Sequence, residues 1–224
     1  MYHYIDVQKR VHRILPSKFP PVSLFDWAEN REELEQIAAL EGLTNDRLST
    51  EYGKLNLVPK EDWVGGQGAT PLMAAFTHIG YPSRFSDETF GIYYAADSQK
   101  AAIKETVFHR ELFYSASNEP ACKITMREYV ANVVKPLVDI TGSEYHHLLN
   151  PNPNQYKISQ AFGKKVKNDN QWGIYYPSVR SQNSFCAAIL RPPALTIPVQ
   201  GKHFEYLWDG HSISQVKAVN SINF

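Results

Sequence analysis

The chain has 224 residues, of which 43% are hydrophobic, 12% aromatic and 21% charged. These values are ordinary for a globular protein and exclude the charge-rich, aromatic-poor composition of a disordered chain. Because lysine plus arginine equals aspartate plus glutamate, no basic excess predicts a surface that binds nucleic acid or an anionic membrane.

Capping residues predict two helices in the first half of the chain. Residues 30–42 form the first, because Asn30 and Glu33 make a capping box, apolar residues follow at helical spacing, and Gly42 ends the run. Residues 70–80 form the second, with Pro71 at the first helical position.

A strand–turn–helix unit follows. Residues 91–96 are β-rich and apolar, and Asp97-Ser98 supplies the N-cap of a helix that reaches about Phe113. A further helix over residues 154–168 has one apolar face, and its three lysines at positions 164, 165 and 167 are interpreted as a solvated face.

The remaining strand-like segments are residues 11–15, 123–126, 172–176, 185–190, 203–208 and 212–219. Helices and strands alternate without a strict βαβ period, and no linker or repeat divides the chain. We therefore expect an α+β fold, in which residues 1–224 form a single domain with a mixed β-sheet core and flanking helices.

The two cysteines and the lack of a long apolar segment favour a cytoplasmic protein. Cys122 and Cys186 each lie in an apolar, strand-like run, where a reduced, buried thiol is favoured over a disulfide. No secretory segment begins the chain, and no later run approaches about 18 apolar residues.

Two patterns are weak indications of a binding site. The loop Gly65-Gly66-Gln67-Gly68 precedes a helix, so its amides are candidates for holding a phosphate, but it lacks the lysine of a P-loop, and a plain flexible loop is favoured. His109, His146 and His147 lack zinc-ligand spacing, so we expect solvent-facing histidines and no metal site.

Glu105 is a stronger candidate, because helical spacing places it in a stripe with Ala101, Phe108 and Leu112. A carboxylate in an apolar stripe is either ion-paired for structure or faces a polar cavity where it acts. Arg84 is its natural partner. It either forms a salt bridge with Glu105 or binds an anion with its planar guanidinium, and the pattern alone slightly favours the salt bridge.

Two further residues stand at strand ends. Tyr94 either stacks on a flat ligand or packs in the core, and core packing is favoured. Ser178 lies in a Pro-Ser turn where a structural role is more common, and no Gly-x-Ser-x-Gly motif or histidine partner supports a serine nucleophile.

Several segments in order resemble the RES domain, a family named for an arginine, a glutamate and a serine. The resemblance covers most of the chain: residues 13–21 (RILPSKFPP), 74–78, 83–86 (SRFS), 91–97 (GIYYAAD), 102–107 (AIKETV), 109–111, 159–163 (SQAFG) and 173–180 (GIYYPSVR). It implies a fold similar to ADP-ribosyltransferase toxins, degradation of NAD⁺ by hydrolysis or phosphorolysis, and neutralisation by an Xre-type helix-turn-helix antitoxin.

The resemblance also assigns site residues. Arg84 becomes the family arginine and Glu105 the glutamate, Tyr94 and Arg13 line the pocket, and the serine is Ser178 or, as second choice, Ser159. At Lys157 the chain departs from relatives that carry a small hydroxyl residue. NAD⁺ enters as substrate with water or inorganic phosphate as acceptor, so no cofactor, metal, membrane or direct nucleic-acid contact is implied.

Two alternatives remain open. The same site serves an ADP-ribosyltransferase that modifies a macromolecule, since both reactions begin with cleavage of the nicotinamide–ribose bond. A non-catalytic interaction module is the third possibility, in which the Arg84–Glu105 pair only ties a helix to the sheet.

Overall fold

The computed structural model describes residues 1–18, 24–41 and 54–219. The α-helices are α1 (Leu24–Trp27), α2 (Arg31–Glu41), α3 (Thr70–Thr77), α4 (Gln99–Ala116) and α5 (Lys157–Asn168). Short 3₁₀ turns are formed by Leu55–Leu57, Lys60–Asp62, Ser143–Leu148, Pro153–Gln155 and Pro192–Ala194.

Nine strands of the described residues form one mixed sheet. They are β1 (Tyr4–Ile5), β2 (Arg10–Pro16), β3 (Tyr93–Ala96), β4 (Cys122–Asn132), β5 (Leu137–Asp139), β6 (Gly173–Pro177), β7 (Phe185–Ile189), β8 (Val199–Trp208) and β9 (Ile213–Val219). Their order is β1-β5-β6-β7-β3-β2-β4-β8-β9. All neighbours are antiparallel except the parallel pair β5 and β6, which confirms the predicted α+β class with a mixed sheet.

The central strands contribute to two cores, one on each face of the sheet, because successive side chains of a strand point to opposite sides. Tyr93 and Ala95 of β3 belong to a cluster that includes Leu72 of α3. Ala96 belongs to the other cluster, together with Ala101 of α4. Helix α4, which carries Glu105, therefore packs on the second face.

The predicted helices are present with shifted ends. Asn30 Oδ1 accepts the Glu33 amide hydrogen at 2.9 Å, while the Glu33 carboxylate accepts from the amide of Glu29. Helix α3 ends at Thr77 rather than Gly80, and α5 begins at Lys157 after a 3₁₀ turn. The predicted end of the first helix, Gly42, lies outside the described residues.

The sheet opens between β2 and β3. These neighbours are paired at one position only, His12 with Ala96, although β2 pairs with β4 along its whole length. Arg13 directly follows the single pair, and its Nη1 donates a hydrogen bond to the Tyr94 carbonyl at 3.1 Å. This gap brings Arg13 to the backbone of β3.

No described helix has both the length and the apolar character needed to cross a bilayer.

Candidate functional site

Glu105 lies on the face of α4 that is directed toward the end of β6. The Ser98 side chain caps this helix by accepting the amide hydrogen of Ala101 at 3.3 Å, as predicted from the sequence. Burial of Ala101 and Ala102 fixes the helix against the sheet. Glu105 is half-buried, and its Oε1 lies 2.6 Å from the hydroxyl of Ser178.

The Ser178 hydroxyl is oriented by its own turn. Its oxygen accepts the backbone amide hydrogens of Arg180 at 3.2 Å and Ser181 at 3.0 Å. A hydroxyl has two lone pairs and one hydrogen. Because the lone pairs are occupied, the hydrogen points to Glu105 Oε1, at a length typical of a hydroxyl bonded to a carboxylate anion.

Cys186 is the second donor to the same oxygen. Its sulfur lies 3.8 Å from Glu105 Oε1, and burial, followed by the charge of Glu105, raises the pKa of the thiol well above its ordinary value. The thiol therefore stays protonated and is a poor nucleophile. Both cysteines are free, but Cys122 is only half-buried.

Arg84 is 7% exposed and is held by oxygen atoms of neutral groups. Its Nη1 donates to the carbonyls of Asn150 at 2.8 Å and Leu148 at 3.5 Å, and its Nη2 donates to the Tyr156 hydroxyl at 3.0 Å. The guanidinium carbon also lies 4.5 Å from the centre of the Tyr156 ring.

The Arg84–Glu105 salt bridge that the pattern favoured is not formed. The ion pairs among the described residues do not include either side chain. Arg84 is instead drawn to the carbonyls of the loop before α5, while Ser178 and Cys186 occupy one oxygen of Glu105. Neither charge is therefore neutralised by an ion pair among the described residues.

Tyr94 contacts the residues on both sides of Arg84. Its hydroxyl oxygen accepts the amide hydrogen of Phe85 at 3.0 Å and lies 2.9 Å from the Ser83 hydroxyl. Burial raises the pKa of Tyr94 to about 12. The phenol is thus neutral, and its contacts are those of a residue that positions Arg84.

Tyr176 of β6 is buried and belongs to the second core cluster. Burial raises the pKa of this phenol well above its ordinary value; Cys186, Tyr94 and Glu105 raise it further, and Arg84 lowers it. The electrostatic environment of this one hydroxyl therefore includes both Arg84 and Glu105.

Arg13 reaches the site only through the backbone of β3. Besides its bond to the Tyr94 carbonyl, its guanidinium carbon lies 4.5 Å from the centre of the Tyr93 ring. Its Nε has no hydrogen-bond partner among the described residues. Burial lowers the pKa of Arg13.

Ser159 is directed into its own helix. It is 2% exposed, and its hydroxyl donates to the Tyr156 carbonyl at 2.9 Å. Of the two candidate serines, Ser178 makes the contact with Glu105. Lys157, where the chain departs from the family pattern, is exposed.

The sequence interpretation gave no role to Arg180. Its guanidinium carbon lies 3.4 Å from the centre of the Phe108 ring, and its Nη2 donates to the Pro151 carbonyl. The segment GIYYPSVR contained the signal, because Arg180 stands two positions after Ser178. An arginine in a loop is usually read as a solvated surface residue, and only the fold places it over α4.

His109 is exposed, as the sequence predicted, but its electrostatic environment is unusual. Although part of its surface is open, desolvation, followed by the charges of Arg180, Arg110 and Arg84, lowers its pKa to about 4. The imidazole is therefore neutral near pH 7. The lowered pKa reflects, after desolvation, the positive charges of these arginines near His109.

The other candidate features lie apart from this site. The Asp26 carboxylate accepts from the Gly68 amide and the Thr70 hydroxyl, so a carboxylate already occupies the position where a phosphate would bind. His146 and His147 are exposed, and the described residues contain no cluster of three or more metal-ligating side chains.

One of the three lysines predicted on a solvated face is partly buried. Lys164 and Lys165 are exposed, but the Lys167 ammonium lies 5.4 Å from the centre of the Phe90 ring. Burial lowers the pKa of Lys167. Near the end of α5, the Lys167 side chain therefore packs against Phe90 instead of extending fully into solvent.

Comparison with known proteins identifies a domain. The family model described as RES domain matches residues 57–209. Arg84, Tyr94, Glu105 and both serines fall inside this span, whereas Arg13 precedes it.

Two individual proteins are similar over most of the chain. The chain is 26% identical over 221 residues to "Uncharacterized protein y4oC" of Sinorhizobium fredii (strain NBRC 101917 / NGR234), with 96% of this chain and 89% of the relative covered. The solved structure "Crystal structure of the M.tuberculosis MbcT-MbcA toxin-antitoxin complex" aligns with a TM-score of 0.46 and 14% identity, over 88% of this chain and 86% of that chain.

Proposed function

Because this chain belongs to the RES-domain family, we propose that it is a toxin that degrades NAD⁺ by cleaving the bond between nicotinamide and ribose. The observation that carries the proposal is the contact of 2.6 Å between the Ser178 hydroxyl and Glu105 Oε1. It leaves a fixed carboxylate with its second oxygen unoccupied by any donor of the described chain.

The carboxylate suits the charge that develops in this reaction. As the bond breaks, nicotinamide leaves as a neutral molecule with the bonding electron pair, and positive charge builds on the ribose. A carboxylate held rigidly beside the ribose stabilises that charge without reorganisation. Glu105 is the proposed group, and Ser178 holds its geometry.

The remaining side chains would bind and orient the dinucleotide. Arg84 and Arg13 are the proposed ligands of the diphosphate, because guanidinium groups form paired hydrogen bonds with phosphate oxygens. Tyr94 would stack on or position the nicotinamide and ribose. Ser159 remains the second choice for a ligand-orienting hydroxyl and would have to give up its bond within α5.

The acceptor is proposed to be water or inorganic phosphate. Water yields ADP-ribose, nicotinamide and a proton, whereas phosphate yields ADP-ribose-1″-phosphate and nicotinamide. NAD⁺ is consumed as a substrate in both cases, and neither reaction needs a further cofactor.

Product analysis tests this proposal. Purified protein is incubated with NAD⁺, with and without phosphate, and the products are identified by mass spectrometry. Release of nicotinamide without a protein acceptor supports the proposal, and the second product identifies the acceptor. Release that requires a macromolecule from a lysate would instead indicate a transferase.

We also propose a separately encoded Xre-type helix-turn-helix antitoxin as the partner, because an enzyme that drains NAD⁺ in the cytoplasm injures its own cell. The chain carries no net charge, so DNA contacts of such a pair would belong to the helix-turn-helix protein. The partner is expected to cover the mouth of the pocket.

A further inference from the structure

Two arginines of the site hold the same short loop. Arg84 donates to the carbonyls of Leu148 and Asn150, and Arg180 donates to the carbonyl of Pro151. The loop connects the 3₁₀ turn Ser143–Leu148 to the next turn, Pro153–Gln155. Two guanidinium groups from distant parts of the chain therefore converge on consecutive carbonyls.

These carbonyls are weak partners for two positive charges. Neither arginine takes part in an ion pair among the described residues. A hydrogen bond between a charged donor and a charged acceptor is about twice as strong as a neutral one. An anion at this position would thus compete effectively with the loop.

Arg180 is also connected to the proposed catalytic carboxylate. The Arg180 amide donates to the Ser178 hydroxyl, which donates to Glu105. The Phe108 ring beneath the Arg180 guanidinium belongs to the same helix as Glu105. The depressed pKa of His109, one residue further along, reflects the charges of Arg180 and Arg84 after desolvation.

We propose that Arg180 is a second anion-binding residue, which together with Arg84 binds a phosphoryl group of the ligand in place of the carbonyls of the loop over residues 148–151. This inference rests on the proposed function, in which NAD⁺ supplies a diphosphate. The same chemistry suits a free phosphate acceptor, and binding measurements separate the two sources.

The experiment measures binding rather than turnover. ADP-ribose and inorganic phosphate are titrated separately into wild type, Arg180→Gln and Arg180→Lys by isothermal calorimetry. Arg31→Gln is the matched control, since this exposed arginine of α2 pairs only with Glu32 and Glu35 among the described residues. Thermal melting of each variant establishes that it is folded.

We expect the ADP-ribose Kd of Arg180→Gln to rise about tenfold or more, because one charge-assisted contact is lost. Arg180→Lys should give a smaller loss, and Arg31→Gln should bind as wild type does. If only phosphate binding weakens in Arg180→Gln, the anion is the acceptor rather than the diphosphate, and Arg180 is still its ligand.

The inference is overturned if folded Arg180→Gln and Arg180→Lys bind both anions as tightly as wild type, or if wild type binds neither. Its failure is distinguishable from failure of the proposed function. Normal NAD⁺ cleavage by Arg180→Gln, with the KM values for NAD⁺ and for phosphate both unchanged, would remove the inference alone. Arg180-dependent binding of ADP-ribose without NAD⁺ cleavage by wild type would remove the proposed reaction alone.

Discussion

The Ser178 hydroxyl donates to Glu105 Oε1 at 2.6 Å while its oxygen accepts two backbone amides. The hydroxyl therefore holds the Glu105 carboxylate of α4 against the turn that follows β6. A carboxylate fixed in this way is suited to stabilise positive charge at one place.

Glu105→Gln should preserve the fold and remove most NAD⁺ turnover. The amide has nearly the same shape but does not match the developing positive charge. We expect a loss of about 10²-fold or more, or about 3 kcal/mol of transition-state stabilisation. The measurement is the rate of nicotinamide release, with circular dichroism as the check on folding. Wild-type turnover by the folded variant would contradict the role of Glu105.

Arg84→Lys should weaken apparent NAD⁺ affinity. Lysine keeps the charge but lacks the planar, two-pronged donor that matches a phosphate. The expected result is a raised KM. A purely structural role predicts a different pattern, in which the melting temperature falls while the kinetic constants of the folded protein stay unchanged.

Ser178→Ala and Ser159→Ala should separate the two candidate serines. Loss of the Ser178 hydroxyl frees Glu105 and leaves two amides without their acceptor, so kcat should fall about tenfold and the free energy of unfolding by about 1–3 kcal/mol. Ser159→Ala removes one bond within a helix and should leave kcat nearly unchanged. Equal kcat losses in both variants would refute the assignment of Ser178.

His109 should make the folded state less stable in mild acid. Its pKa is lowered to about 4, whereas an unfolded histidine titrates near about 6.5. Between these values the unfolded chain binds a proton that the folded chain does not, so stability falls as the pH drops from about 6.5 to about 4. The effect should be modest because His109 is partly open to solvent.

Denaturant unfolding at pH 7 and pH 4.5 tests this expectation. His109→Gln should lose less stability across the interval than wild type, and His146→Gln, at an exposed position, should behave as wild type does. An identical loss in wild type and His109→Gln would show that another group is responsible.

Local patterns predicted the elements that carry the site, but not its contacts. Ser98 and the apolar stripe around Ala101 were sufficient to place Glu105 on a helix, because capping and periodicity act over a few residues. The contact between Glu105 and Ser178 spans 73 residues of the chain. It depends on strand register, which local patterns do not specify.

The interpretation failed where a local pattern had two physical outcomes. The sequence pattern favoured a salt bridge between Arg84 and Glu105, because a buried charge needs a partner of opposite charge or hydrogen bonds. In the structure, backbone carbonyls solvate Arg84, and hydroxyl and thiol groups solvate Glu105. The strands β1 and β5 were missed because two or three residues are too few to show an alternation.

The most direct test of the central claim is the NAD⁺ content of cells that express this chain or its Glu105→Gln variant. Wild type should lower cellular NAD⁺ and stop growth, the variant should do neither, and co-expression of the proposed helix-turn-helix antitoxin should restore both growth and NAD⁺. Equal toxicity of wild type and Glu105→Gln with undiminished cellular NAD⁺ would contradict NAD⁺ cleavage as the function of this site.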